Sequence, residues 1–541
     1  MIEVLSNPKK VKAFSTFEIL LIVALACVPL FISFPYRINI FLSWEGAYRI
    51  SQGQIPYRDF GIPLGYMYWV IPGIFFKIFG AQMITLVKAQ VFINILSGLA
   101  FRSVLKSVGV HPGVRLLSVM LYCISFSFFN FWPWYNHTVI VYQMIGLAFL
   151  MSYIFISQKW IKLLLCALFI FFSFFTKQDG GGLALLLVLA LLAYHCFTEK
   201  KWMPLIIFSG SYLIIAFAII APMTKYNFAY WFNHGQLPHT SRFSPYEIIE
   251  EFLWGSQWIK FYIFIILLIA IAEFKNWKTF LSDKKSALFL LLTLGILTEA
   301  AIFQVTSYTP LDNNIFFHSF AFAFIVSYLA KYLKLDFINL RVLSVGAFGL
   351  LLWWSGVFWK YLQRFAERIV PAVEAKSNST ENIINKKTYI LNNQPPDIPM
   401  SEWTFSGLKS FEKIYMPKAT VEGINRLLNN DSLKSNKSPR VLNMTELTPL
   451  AAEMKLELEK GPEIPLWYHL GVGMFNKEAA MYEQRIQNHY YDLVLFEYIP
   501  NLNNFYPFRV RNTLQSQYRK IDSFPAPRRG DTQGVIEVYS K

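Results

Sequence analysis

Apolar residues in this chain fall in long unbroken runs rather than in the narrow stripes of a soluble fold. Continuous apolar segments of spanning length lie at about 17–36, 84–106, 115–132, 138–157, 160–176, 181–198, 203–222, 258–274, 286–306, 315–333 and 341–361. Each approaches the ~20 residues a helix needs to cross a hydrocarbon core, and the pattern predicts eleven transmembrane helices. A twelfth segment, Pro63 to Gly80, has the same apolar bulk but contains Gly65, Pro72, Gly73 and Lys77. Those residues suit a helix that lies along the interface or dips into it.

After Tyr361 the long runs stop, so the chain divides into a membrane part, 1–361, and a soluble part, 362–541. A connecting helix is expected to about residue 385, followed by proline-rich turns. From Arg440 onward strands are expected at "RVLNM", "YDLVLFEYI" and "GVIEVY", and helices at "LTPLAAEMKLELEK", "KEAAMYEQRIQNHY" and "FRVRNTLQSQYRKI". This alternation predicts a small α/β domain. It contains no nucleophile elbow, Walker motif or dinucleotide fingerprint, so its expected role is to bind an acceptor or to cover the membrane site.

The short loops orient the helices. With eleven spans and a cytoplasmic N-terminus, seventeen Lys and Arg of the membrane part fall inside and ten outside. If Pro63–Gly80 also crossed, the count would invert. The positive-inside rule therefore places the N-terminus in the cytoplasm, the loop 38–83 on the outer face and the C-terminal domain outside. The first apolar segment follows a basic start without a small-residue cleavage site, and is expected to remain as a span.

Composition narrows the class further. Of 541 residues 55% are hydrophobic and 16% charged, with a net charge of +16. Residues 1–361 carry 27 basic against 14 acidic side chains, and the rest 23 against 20. Most of the excess thus sits beside the membrane, where it orients helices and meets anionic lipid, and nucleic acid is not an expected partner. Cys27, Cys123, Cys166 and Cys196 all lie in apolar runs, so no disulfide framework is available to the loops or tail.

Chemistry-bearing residues concentrate in the outer loops, whereas a transporter would place several at mid-membrane. Glu299 in "GILTEAAIF" is the one intramembrane acid the pattern singles out, either functional or an inward structural hydrogen-bonder. The first outer loop, "WEGAYRISQGQIPYRDF", holds Glu45, Arg49, Arg58 and Asp59 with Tyr48 and Tyr57. Its start is predicted helical and ended by Gly53 and Pro56, which puts Glu45 and Arg49 on one face at i and i+4. That pair is either an exposed helix salt bridge or a carboxylate for proton abstraction beside guanidinium groups able to grip a phosphate.

Other loops add "FWPWYNHTV" with Asn136 and His137, "FTKQDGGG" with Lys177, Gln178 and Asp179, a loop with His239 and Arg242, and "SYTPLDNNIFFHSF" with Asp312 and His318. Lys177 beside flexible glycines and a helix start suits a phosphate contact, while Asp179 serves equally as a helix N-cap. A helix is predicted from Ser244–Pro245, with Glu247 in its first turn. The histidines show none of the spacings of a zinc site, and no metal is expected. A magnesium or manganese ion held by carboxylates and a substrate phosphate is compatible with the loops but not indicated by them.

At "WEGAYRISQGQIPYRDFGIPLGYMYWVIPGIFFKIFG" the sequence resembles the first outer loop of glycosyltransferase-C (GT-C) superfamily enzymes, and most nearly the family 39-like bacterial members related to protein mannosyltransferases and lipid A aminoarabinose transferases. Glu45, Gly46, Tyr48, Gly53, Pro56, Tyr57, Asp59, Phe60, Pro63, Leu64, Phe79 and Gly80 follow that family's order, and "FTKQDGG" looks like its Lys-Gln-x-Gly element. Trp44 departs from it, standing where relatives carry the first acid of Asp-Glu.

The resemblance implies an integral protein of a bacterial inner membrane with a periplasmic C-terminal domain. It implies an inverting transfer of sugar from a polyprenyl-phosphate donor to a glycan, lipid or protein acceptor. Glu45 and Asp59 are then the candidate catalytic carboxylates, and Arg49, Arg58, Lys177 and Arg242 the phosphate contacts. Tyr48, Tyr57, Asn136, His137, Gln178, Asp179, His239, Asp312 and His318 line the substrate. The competing class is a non-catalytic scaffold or lipid-linked-sugar carrier with the same fold.

Overall fold

Helices occupy all eleven predicted apolar segments. In a computed structural model of the chain, the described residues are 8–36, 40–127, 131–236, 244–307, 317–356, 358–359, 362, 398–430, 439–500, 502, 506–528 and 533–541. The predicted connecting helix, His239, Arg242 and Asp312 lie outside them.

The helices are α1 (Pro8–Cys27), α2 (Ile40–Ser51), α3 (Met67–Phe79), α4 (Met83–Ser107), α5 (Pro112–Tyr122), α6 (Tyr135–Phe155), α7 (Trp160–Phe174), α8 (Gln178–Glu199), α9 (Met203–Ile220), α10 (Pro245–Trp254), α11 (Gln257–Glu273), α12 (Trp277–Ser282), α13 (Lys284–Thr306), α14 (Phe317–Tyr332) and α15 (Leu340–Trp353). Among the described residues six helices are long and apolar enough to cross a membrane, and a seventh if α10 and α11, bent by 85°, are one span. Several remaining helices are apolar but shorter, α7 with 15 residues and α15 with 14 among them. The sides of the spanning-length helices fit a lipid solvent: on α9, Leu213, Ile214 and Phe217 are 66%, 71% and 75% exposed.

The predicted capping of α10 is present, with the Ser244 side chain accepting from the Glu247 N–H. Asp179, by contrast, is inside the first turn of α8 and Lys177 holds the N-cap position. The segment after the first loop forms α3, which packs on α2 and α4.

Helix direction defines two ends. The N-termini of α4, α6 and α8 share one end with the C-terminus of α13, the loop end. At the far end Glu18 of α1, fully buried, accepts from Arg102 of α4 at 2.7 Å and from Arg115 of α5 at 2.9 Å. Glu299 is therefore not the one buried acid of the bundle. One carboxylate between two guanidinium groups ties three helices together, and losing any partner would strand a buried charge.

The C-terminal residues build two sheets. The larger joins β4 (Val441–Met444), β5 (Leu493–Tyr498), β6 (Arg519–Pro525) and β7 (Val535–Ser540) in the order β4-β5-β7-β6, with β4 and β5 parallel and the other pairs antiparallel. Helices Lys418–Leu428, Phe475–Gln487 and Phe508–Gln517 pack on it. The smaller sheet joins β1 (Phe34–Pro35), β2 (Trp403–Phe405) and β3 (Ile414–Pro417), so a strand directly after α1 pairs with one about 380 residues later.

Two tail expectations change. The helix predicted over 447–460 is confined to Leu450–Glu453, flanked by turns, and the chain beyond it is irregular and serves the first loop: the Leu458 and Glu459 carbonyls accept from Gln54 and Arg49. The helix predicted to reach Ile521 stops at Gln517, and Arg519–Pro525 becomes β6, whose ladder to β7 outweighs local helical periodicity.

The first loop is wedged between three walls. A Cβ at Gly61 would meet the Tyr230 ring at 2.2 Å, and one at Gly65 would lie 1.6 Å from the Phe175 carbonyl oxygen at the end of α7. The third wall is the segment Gly461–Leu466: the Gly461 N–H donates to the Asp59 carbonyl, and Gly61 exchanges hydrogen bonds with Ile464 and Leu466. Gly65→Ala is therefore expected to cost at least about 2 kcal/mol through overpacking against backbone. Gly182→Ala, with open space around its Cβ, should be neutral or stabilise α8 by up to about 1 kcal/mol. Thermal unfolding of the two variants in detergent measures the contrast.

Candidate active site

Helix α2 presents Glu45 and Arg49 together, as the i, i+4 spacing requires. Arg49 is 4% exposed and donates to Glu45 at 2.9 Å, to the Gln54 side chain at 2.9 Å and to the Glu459 carbonyl at 2.9 Å. Its guanidinium also lies 5.4 Å from the Phe60 ring. With these partners the group is committed to holding Glu45. Burial pushes the Glu45 carboxyl up from its ordinary value, with Arg49 opposing; a carboxylate so placed is a stronger proton acceptor than one in water.

Asp59 is organised differently. It accepts from Arg58 at 2.7 and 3.0 Å and from the Ile55 N–H at 2.7 Å. The Arg58 hydrogen bonds and that backbone donor hold its carboxyl below the usual range against a burial penalty. Asp59 thus closes its own turn, while Arg58 stays half-exposed. Tyr57, buried with φ 67°, donates to the Leu64 carbonyl at 2.7 Å and braces the same loop. Trp44 is fully buried, stacked on Tyr48 at 4.7 Å and packed on Phe76 at 5.7 Å. The position that holds an acid in the resembled family is here an aromatic joint between α2 and α3.

A second cluster forms at the start of α8. Lys177, 6% exposed, pairs with Asp179 at 3.0 Å and donates to the Ser307 hydroxyl, which also donates to Asp179 at 2.6 Å. The ammonium sits 5.0 Å from the Phe303 ring and 5.7 Å from the Tyr135 ring. A contiguous run of rings connects the two clusters: Phe60 to Trp69 at 6.1 Å, Trp69 to Tyr68 at 4.4 Å and Tyr68 to Tyr135 at 6.0 Å. Tyr135 opens α6 beside Asn136 and His137, and Ser43 of α2 donates to the Pro133 carbonyl, so "FWPWYNH" joins the same wall.

The remaining candidates are placed apart or turned to structure. Gln178 donates to the Trp231 carbonyl. His318 is buried between α11 and the end of α15, bonded to Tyr262 at 2.9 Å and against Trp354. Sequence reasoning missed Ser307, Tyr135, Phe303, Glu459 and Gln143, the last donating to Glu299 across the bundle at 2.5 Å. No local pattern marks them, because each acquires its role from a partner more than a hundred residues away or from another helix. Among the described residues no group of three His, Cys, Asp or Glu side chains is arranged to hold a metal.

A bundle of apolar helices, an ordered loop helix carrying an acid and an arginine, and a C-terminal region packed over that loop make up a fold shared with a solved membrane protein. Among solved structures the chain is similar to ArnT from Cupriavidus metallidurans bound to undecaprenyl phosphate, over 97% of this chain and 98% of that one, with a TM-score of 0.51 at 9% identity. It is similar to the same protein in the apo state over the same shares, with a TM-score of 0.50 at 11% identity. No family model and no curated protein matches the sequence. The likeness carries the fold.

The clamp over the loop is itself titratable. Tyr230, the wall against Gly61, donates to Glu478, whose carboxyl burial pushes up from 4.5 to about 8. The folded state then binds this proton more tightly than the unfolded chain, so its contribution to stability is full below about pH 4.5 and is lost as pH rises to about 8. Glu478→Gln should flatten that fall and raise the melting temperature at pH 8, measured by thermal unfolding from pH 5 to 8.

Proposed function

We propose that the chain is an inverting membrane glycosyltransferase that moves a sugar from a polyprenyl-phosphate donor to an acceptor at the outer face. In this reading residues 1–361 form the catalytic membrane domain with eleven spans and a cytoplasmic N-terminus. Residues 362–541 form an exported α/β domain, periplasmic in a bacterial inner membrane. The observation that carries it is the pairing of a proton-accepting carboxylate, Glu45 held by Arg49, with a buried ammonium, Lys177, on one aromatic wall. The shared fold with an undecaprenyl-phosphate-bound protein supports the donor class.

The chemistry balances with these groups. Glu45 takes the proton of the acceptor hydroxyl as its oxygen bonds the anomeric carbon. On the opposite face the bond from that carbon to the phosphate oxygen breaks, and its electron pair leaves with the polyprenyl phosphate. Lys177 meets the charge that develops there, where exclusion of water strengthens its effect. Arg58 is the second cation available to the phosphate among the described residues, and Arg49 acts by orienting Glu45. Asp59 organises the loop.

A non-catalytic scaffold is the second reading, favoured by one observation: Glu45 and Asp59 are each satisfied by an arginine of their own loop. Transfer assays with a polyprenyl-phosphate sugar separate the two. Glu45→Gln should lower kcat about 100-fold or more with little change in KM, and Lys177→Met should lower kcat/KM at least as far. Undiminished transfer by Glu45→Gln removes it from the mechanism, and absence of turnover by the wild-type protein with any lipid-linked sugar favours the scaffold.

A further inference from the structure

At the far end of the bundle a cleft of about 610 Å³ opens between the α4–α5 turn, the C-termini of α11 and α14 and the N-terminus of α13. Helix α13 runs from this cleft to the candidate active site. The 22 steps along the chain from Lys285 to Ser307 span about 33 Å at 1.5 Å per residue, close to the thickness of a bilayer core. The cleft is thus a separate site at the opposite membrane interface.

Its charges are unevenly compensated. Lys331 is held by both oxygens of Glu273, at 2.7 and 2.6 Å. Asp336 accepts from the Ile338 N–H at 2.8 Å and lies 3.9 Å from His111. Lys285 and Lys334 also line the cleft, and neither has an acid partner among the described residues. Below them the wall is apolar, with Val110 and Phe289 each 5% exposed. Three lysines against two carboxylates, Glu273 and Asp336, leave the cleft with a net positive charge over an apolar slot at headgroup depth, and Lys285 and Lys334 make no ion pair among the described residues; this matches a ligand with an anionic head and a hydrocarbon tail. A free anion would leave the slot unused, and a neutral lipid would leave the lysines without a counter-charge.

We propose that this cleft binds one anionic phospholipid of the surrounding bilayer, its phosphodiester between Lys285 and Lys334 and an acyl chain against Val110 and Phe289. The test is native mass spectrometry of the full chain in zwitterionic detergent, titrated with phosphatidylglycerol or phosphatidylcholine. Phosphatidylglycerol should be retained preferentially, and the double variant Lys285→Gln/Lys334→Gln should bind it about 30-fold more weakly, roughly fivefold per lysine.

The control is Lys200→Gln/Lys201→Gln, which removes the same charge from the same end of the bundle outside the cleft, and it should bind as the wild type does. Unchanged melting temperatures of both double variants establish that they fold. Equal retention of the two lipids, equal weakening in the control, or displacement by inorganic phosphate would each overturn the proposal.

Discussion

The backbone from Gly53 to Tyr66 closes only part of its own hydrogen bonding, with the Tyr57 N–H on the Phe60 carbonyl and the Asp59 N–H on the Ile55 carbonyl, so groups such as the Asp59 and Gly61 carbonyls and the Gly61 N–H need a partner from what packs against it. The segment Glu459–Leu466, itself turned between Gly461 and Ile464, supplies those partners. It accepts from Arg49, donates to the Asp59 carbonyl and brackets Gly61 on both sides. The two glycines that let neighbouring rings and backbone approach, Gly61 and Gly65, make the wedge tight. Everything proposed for Glu45 depends on this arrangement, because Arg49 is oriented as much by the C-terminal region as by its own helix.

The same logic explains why a membrane bundle tolerates its charges. Glu18 lies between Arg102 and Arg115, Lys177 between Asp179 and Ser307, and Glu299 against Gln143. Each of these groups would be costly alone in a low-dielectric surrounding. Each partner set joins different helices or ends of helices, so the charges also define which helices are neighbours. Two such sets lie at opposite ends of the bundle, and the apolar length of α13 separates them.

Composition and run length predicted helices that the structure places at all eleven segments, and the i, i+4 spacing of Glu45 and Arg49 predicted the contact observed. The Ser244 cap was equally readable, because caps are local. Asp179 was open to a helix N-cap reading beside a substrate-lining one, and the structure sets it inside the first turn of α8, held by Lys177 and by Ser307, 128 residues away. The tail was read in outline, and failed where long-range pairing overrode periodicity, at 447–460 and at Arg519–Pro525.

What the sequence by itself determined is therefore what a single helix or loop can specify: apolar length, the face shared by Glu45 and Arg49, the excess of basic residues near the membrane and a family-like order in the first loop. Only the tertiary structure decided that the Glu459 carbonyl of the C-terminal region takes up Arg49 as well, so that its guanidinium is committed to holding Glu45. It also decided that Lys177 is caged by Tyr135 and Phe303, that Trp44 packs a joint where an acid was expected, and that residues near 460 clamp the loop. The physical reason is that hydrophobic periodicity is a property of neighbours along the chain. The satisfaction of buried polar groups is a property of neighbours in space.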